Sequence, residues 1–145
     1  IDVSGRVRIR GAQSFYQTKS WPTFGPMGPF IVTKDEISDP HNIAIQITNS
    51  GEPRQAFNTD DMAHKIPACI EFATHITPLG PGDLISTGTN HQGLGAIQNG
   101  DEITLEVQNI GKIHLRVEDP LKREWPRGID QETAERMQGS NSGNP

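Results

Sequence analysis

The chain has 145 residues, with 13 Lys and Arg against 18 Asp and Glu. Its 15 glycines and 11 prolines form about 18% of the chain, against roughly 12% in an average protein, and only 32% of the residues are apolar. This composition argues against a helical bundle and favours one turn-rich β or α+β domain. The net charge of −5 argues against a nucleic-acid partner, and no apolar run approaches the roughly 18 residues of a membrane span.

The first elements in chain order are predicted to be a loop, a strand and a hairpin. Residues 21–30 contain three prolines and two glycines, which predicts an irregular loop that leads into a short strand from Phe30 to Thr33. Within the loop, Trp21 and Phe24 are expected in the core. The alternation in residues 43–48 predicts a strand that turns at 49–51 and pairs back with residues 52–57.

A helix and a second hairpin follow. Apolar residues recur at helical spacing over 62–76, and Pro67 in the first turn places the firm helix at 66–76. Alternating residues predict a hairpin of 103–107 with 113–117. The segment 127–145 contains few apolar residues, and this composition predicts a flexible tail.

Sharp catalytic motifs for phosphate, zinc or a nucleophilic serine do not occur in the sequence. His114 is expected on the surface, and His64 and His75 in solvated or capping roles. Cys69 lies on the apolar stripe of the helix and is predicted to be a small buried side chain. As a single cysteine it cannot form an internal disulfide, which favours a reducing compartment, here the cytoplasm.

The glycine-rich segment Gly88 to Gly95 is a weak signal by itself. A strand rather than a helix follows it, so it predicts a wide turn more readily than a phosphate loop. Other blocks accompany it in a fixed order. They are Asp2 to Arg6, Lys19 to Pro29, Phe30 to Ile37, Arg54-Gln55, Gly82-Asp83, Ser86 to Thr89, and Asn99 to Asp101.

Together these blocks resemble the fumarylacetoacetate hydrolase family over nearly all of residues 1–126. The resemblance implies a mainly β (α+β) fold, a mixed sheet rolled into a barrel-like sandwich, with one short helix near 62–76. It implies that 1–126 form the C-terminal part of the catalytic domain. Because the chain opens with Ile1 and shows no leader pattern, we expect a processed product or a piece of a longer polypeptide.

The resemblance also implies a divalent cation, Mg²⁺ or otherwise Mn²⁺ or Ca²⁺, held by carboxylates. Asp2 matches one of these ligands, and the others, with the general base, are expected upstream of residue 1 or on a separate chain. One carboxylate alone binds Mg²⁺ weakly, so the 145-residue chain is expected to be incomplete as a catalytic unit.

For catalysis, the resemblance implies that Lys19 stabilises an oxyanion and that Thr89 contacts the substrate through its hydroxyl or its backbone N–H. Substrate contacts are implied for three further residues. They are Arg6, which orients carboxylates, Thr23, which organises the pocket of the ion and the lysine, and Gly88. The turn after Thr89 departs from the family pattern by one extra residue, so His91 is also expected to reach the pocket.

The implied activity is hydrolysis of a C–C bond in a small 2,4-diketo or 2-oxo acid. Isomerase, hydratase, dehydratase and decarboxylase reactions remain alternatives because they share an enolate and the fold does not choose among them. A catalytically silent binding or subunit module is a further alternative. The resemblance also implies a homodimer.

Overall fold

The computed structural model describes residues 1–5, 14–91 and 93–140. The chain divides into two compact units, Ile1–Val32 and Thr33–Pro145, and each is described by itself. The elements in chain order are α1 (Phe15–Lys19), β1 (Ala44–Asn49), β2 (Glu52–Asn58), a 3₁₀ turn (Thr59–Asp61), α2 (Ile66–Ile76), β3 (Glu102–Val107), β4 (Gly111–Arg116) and α3 (Gln131–Ser140).

The second unit contains a four-stranded sheet in the order β2-β1-β3-β4. Every pairing among these strands is antiparallel, so the described sheet is not mixed as the resemblance implied. Two hairpins explain the pairings of β1 with β2 and of β3 with β4, because a short turn can join only antiparallel neighbours, whereas β1 and β3 pair across a longer connection. Among the described residues, the buried apolar side chains are Ile43, Ile103 and Ala134.

The mainly β class is confirmed, and the helix predicted at 66–76 has those bounds in the structure. Both hairpins form close to the predicted positions. Pro67 lies in the first turn of α2, where it interrupts no intrahelical hydrogen bond.

Two helices were not predicted. Helix α1 has five residues, too few to show a periodic apolar pattern, and a capping box of Ser14 and Gln17 begins it. Helix α3 lies inside the segment for which composition predicted a flexible tail. The Asp130 carboxylate accepts hydrogen bonds from the N–H and hydroxyl of Thr133, and Ala134 is buried. Amino-acid composition alone does not reveal a helix cap of this kind. The predicted domain boundary at residue 126 is a separate point and stays a prediction.

The prediction of a strand from Phe30 to Thr33 is wrong, because the backbone there is irregular and Ile31 is 91% exposed. A strand needs a neighbouring strand for its backbone groups, and residue alternation does not reveal one. The placement of Trp21 in the core is also wrong, since it is 58% exposed, whereas Phe24 is half-buried.

Helix α2 is covered less than its apolar stripe predicts. Cys69 is half-buried rather than buried, and its thiol lies 3.6 Å from the carbonyl of His64. Phe72 and Ile76 are at least 70% exposed. In the part of the chain that the structure describes, no helix is both long and apolar enough to cross a membrane.

Candidate functional site

Lys19 is positioned by the short helix α1, of which it is the last residue. The hydroxyl of Ser14 accepts a hydrogen bond from the N–H of Gln17, and the Gln17 side chain accepts one from the N–H of Ser14. At the other end, the Ser20 N–H donates to the carbonyl of Tyr16. These caps define both ends of a helix that is too short to persist through its propensity alone.

The segment 1–5 runs beside this helix and the turn after it. The Gly5 N–H donates to the carbonyl of Thr18 at 2.8 Å, and the Val3 N–H donates to the carbonyl of Phe24 at 3.2 Å. A Cβ at Gly5 would lie only 3.4 Å from the indole nitrogen of Trp21. These contacts bring the side chains of the first residues to the end of α1.

The ammonium of Lys19 lies between two side chains of that segment. Its Nζ donates to Oδ2 of Asp2 and to Oγ of Ser4, both at 2.6 Å. The Lys19 side chain is 32% exposed and that of Asp2 58%. Two of the three N–H donors of the ammonium are engaged by these contacts, so its direction is defined while solvent still reaches it.

Ser4 was not among the residues predicted for the site. The signal that identifies it is spacing, since Asp2 and Ser4 stand two positions apart and both reach the same ammonium. Two-residue spacing points side chains the same way in an extended segment.

Thr23 lies in the turn after α1, exposed, with a backbone φ of 69°. This left-handed conformation is disfavoured for a β-branched residue, because Cβ crowds the backbone. Strain of this kind concentrates at functional sites. Arg6, predicted to orient carboxylates, lies outside the described residues.

The remaining predicted residues belong to the second unit. Gly88 has a φ of 82°, a conformation that glycine adopts without strain, and Thr89 and His91 are exposed. Between them, the carbonyl of Asn90 accepts a hydrogen bond from the side chain of Gln55. The wide turn predicted from composition is an irregular loop attached to β2.

Asp2 is the one residue of this chain for which a role as ligand of a divalent cation was predicted. Among the described residues, no group of three or more His, Cys, Asp or Glu side chains is placed so that it could hold a metal ion. The hydrogen bond from Lys19 occupies one lone pair on Oδ2 of Asp2. The remaining lone pairs of the carboxylate are sufficient for it to serve as one ligand of a cation. A complete Mg²⁺ or Mn²⁺ site requires more oxygen ligands than this.

Asp101 is buried in a network that sequence reasoning did not find. It is 2% exposed and accepts hydrogen bonds from the side chains of Asn49 and Arg127 and from the N–H of Gln98. Burial alone would raise the pKa of Asp101, but these donors outweigh it and hold the pKa below its ordinary value. The network joins β1 to the start of β3 and to the segment after β4.

Histidine roles are structural where the structure defines them. Nε2 of His41 accepts the N–H of Ile66 at 3.1 Å and so caps α2, a role that no sequence pattern indicated. The expected surface position of His114 is confirmed, with its ring 3.0 Å from the Thr104 hydroxyl.

The family model described as fumarylacetoacetate (FAA) hydrolase C-terminal matches residues 1–118. The chain belongs to this family. The match covers both groups of candidate residues, Asp2 to Thr23 and Gly88 to His91.

Two curated members of the fumarylacetoacetate hydrolase family are similar in sequence. A 4-hydroxyphenylacetate degradation bifunctional isomerase/decarboxylase from Salmonella dublin is 39% identical over 97 residues, covering 67% of this chain and 22% of that protein. A mitochondrial oxaloacetate tautomerase from Rattus norvegicus is 37% identical over 124 residues, covering 80% of this chain and 39% of that protein.

A solved structure is similar in fold. Maleylpyruvate hydrolase from Sphingobium sp. SYK-6, in complex with manganese(II) and pyruvate, superposes with a TM-score of 0.64 at 35% identity. The likeness covers 66% of this chain and 36% of that one. The chain therefore spans less than half the length of each of these three relatives.

Proposed function

We propose that this chain forms part of the active site of an enzyme that acts on a small 2-oxo acid. Its leading reaction is hydrolysis of a C–C bond in a 2,4-diketo acid. The observation that carries this proposal is the ammonium of Lys19, held at 2.6 Å by both Asp2 and Ser4. Two of the relatives support the substrate class, since their names contain oxaloacetate and maleylpyruvate.

Hydrolysis of a 2,4-diketo acid develops a negative charge on an enolate oxygen, and an ammonium such as that of Lys19 can stabilise this charge. Water adds to the C4 carbonyl, the C3–C4 bond breaks, and its electron pair leaves as the enolate of pyruvate. Protonation of that enolate at C3 gives pyruvate, and the C4 fragment leaves as a carboxylic acid. Lys19 would donate its third N–H to the enolate oxygen, which stabilises the charge as it develops.

The fixed direction of Lys19 matters for this role. A donor already held in place need not reorganise when charge develops, and that saving contributes to catalysis. Ser4 and Asp2 would orient the ammonium by accepting its hydrogen bonds. Thr23 and Thr89 are proposed substrate contacts, with Arg6, Gly88 and His91.

Asp2 is proposed as one ligand of a divalent cation, with the other carboxylates supplied by polypeptide outside the described residues. Manganese(II) in the Sphingobium structure supports a cation of this class, and Mg²⁺ remains our first choice. When bound, the cation would supply positive charge that balances the negative carboxylate of the 2-oxo acid.

A second reaction class is favoured by the sequence relatives. Tautomerisation and decarboxylation of a 2-oxo acid also generate an enolate, and the rat and Salmonella proteins are named for reactions of this kind. Lys19 would serve these reactions in the same way, so the residues of this chain do not separate them.

A substrate panel with the natural full-length protein separates the reactions. Acetylpyruvate reports C–C hydrolysis through the pyruvate released, and oxaloacetate reports tautomerisation and decarboxylation. We expect acetylpyruvate or a longer acylpyruvate to give the highest kcat/KM. No turnover of any 2-oxo acid with Mg²⁺ or Mn²⁺ present would contradict the enzymatic function and leave a silent module.

We also propose a homodimer in the cytoplasm. Exposed large apolar side chains in the second unit, such as Phe72 at 70%, support an interface. Sedimentation velocity at micromolar concentration measures the assembly, and a monomer would contradict it.

A further inference from the structure

The glycine-rich loop is attached to β2 at a β-bulge. Ile47 of β1 pairs with Gln55, whereas the next residue, Thr48, pairs with Pro53. Arg54 is therefore the extra residue of the bulge and has no partner opposite it on β1. Neighbouring side chains in a regular strand point to opposite faces, and a bulge re-aims one of them.

The re-aimed Arg54 and its neighbour Gln55 both reach the loop. Nη2 of Arg54 donates to the carbonyl of Ala96 at 3.3 Å, and Nη1 donates to the carbonyl of Gly128 at 2.5 Å. The side chain of Gln55 donates to the carbonyl of Asn90, the residue after Thr89. The loop is thus held on both sides, at Asn90 and at Ala96, by two consecutive residues.

The glycines of the loop are explained by the same contacts. A Cβ at Gly93 would overlap the backbone carbonyl of Arg54, and one at Gly95 would overlap the Arg54 guanidinium and the carbonyl of Gly128. Gly93 is buried against the strand. These two positions require glycine because of the close approach of Arg54, rather than for a phosphate.

Burial of the Arg54 side chain lowers the stability of the fold in one respect. Its Nε is buried, and it has no hydrogen-bond partner within the part of the chain that the structure describes. A buried donor without a partner destabilises the folded state, so a role in the site accounts better for an arginine here than a purely structural one.

We propose that Arg54 and Gln55 are positioning residues that clamp the loop 88–96 onto β2 and thereby place Thr89 for substrate binding. The inference rests on the proposed function, which assigns Thr89 to the substrate. Arg54 acts through the loop and touches no reacting atom.

The test uses Arg54→Met in the natural full-length protein, with Arg116→Met on the exposed face of β4 as the matched control. We expect Arg54→Met to raise KM for the acylpyruvate at least tenfold, with kcat within about threefold, because uniform binding is lost. Amide hydrogen exchange of peptides within 88–96 should accelerate in this variant, and Arg116→Met should change neither quantity.

A second variant disturbs the same contact through a residue of the loop instead of through Arg54. Gly93→Ala leaves the Arg54 side chain intact but pushes the loop from the strand, so it should give the same rise in KM and the same faster exchange. It replaces Arg54→Met if that variant does not fold. Unchanged loop exchange or unchanged KM would overturn the proposal, as would a loop that already exchanges at the free-peptide rate in the unaltered protein.

Lys19→Met separates this proposal from the proposed function. If that variant loses kcat while Arg54→Met leaves loop exchange and KM unchanged, the clamp is wrong and the function stands. If Lys19→Met keeps its kcat while Arg54→Met frees the loop, the proposed function is wrong and the clamp on the loop is supported.

Discussion

The ammonium of Lys19 and the carboxylate of Asp2 lie 2.6 Å apart, although 17 positions separate them in the chain. Both side chains are partly exposed, so the ion pair by itself contributes little to stability, about 0–1 kcal/mol. The pair is better explained by the direction that it gives to the ammonium than by the energy of the pair.

Lys19→Met should leave the fold intact and lower kcat. We expect kcat on the acylpyruvate to fall by about 10²–10³, or roughly 3–4 kcal/mol, because the donor to the enolate is lost. The free energy of unfolding should change by less than about 1 kcal/mol. Steady-state kinetics and urea denaturation measure the two effects.

The matched control is Lys112→Met, which removes an exposed ion pair of 2.9 Å with Glu106 on the sheet. It should change neither kcat nor, beyond a few tenths of a kcal/mol, stability. A folded Lys19→Met protein with the kcat of the control would remove the main support of the enzymatic function.

Asp2→Asn should weaken binding of the divalent cation. Because few charged ligands hold such an ion, we expect the Kd for Mn²⁺ to rise at least tenfold in the natural full-length protein. Isothermal titration calorimetry after removal of metal with a chelator measures it. Asp83→Asn is the control, since that carboxylate accepts the N–H of Gly80 within a turn. Equal affinities in the two variants would show that Asp2 is not a ligand.

The left-handed backbone of Thr23 predicts an unusual order of stabilities. Thr23→Gly should be more stable than Thr23→Ala by about 1 kcal/mol, because only glycine adopts a φ of 69° without strain. Chemical denaturation of the two variants measures the difference. Both lose the hydroxyl, so a shared loss of activity that Thr23→Ser restores would be due to that group. If the alanine variant equals or exceeds the glycine variant in stability, the strained turn is not present in solution.

The lowered pKa of Asp101 predicts how its contribution varies with pH. The charged form is favoured in the folded state, so the stabilisation is complete above the unfolded value of about 3.9 and is lost as pH falls through the lower folded value. Asp101→Asn should therefore lower the free energy of unfolding by roughly 2–3 kcal/mol at pH 7 and at pH 5. The difference should shrink below about pH 4.

Urea denaturation between pH 3 and pH 7 measures this dependence. Glu102→Gln, at the exposed neighbouring position, is the control and should behave like the unaltered protein. A deficit in Asp101→Asn that stays constant down to pH 3 would contradict the role of the charge.

Local patterns were sufficient for much of the second unit. The hairpin of β1 and β2, the hairpin of β3 and β4, and α2 all follow from the alternation or helical spacing of residues near one another in the chain. The predicted strand from Phe30 to Thr33 shows the limit of this reasoning, because a strand depends on a neighbour that its own residues do not specify.

The sequence by itself determined the mainly β class, α2 and the family, because periodicity and ordered motifs are properties of the chain. Only the tertiary structure brought Ser4 and Asp2 to Lys19, buried Asp101, and aimed Arg54 at Gly128, 74 positions away. These contacts depend on the path of the backbone through caps, a bulge and turns. The partners in these contacts are far apart in the chain, so local sequence patterns do not predict which side chains meet.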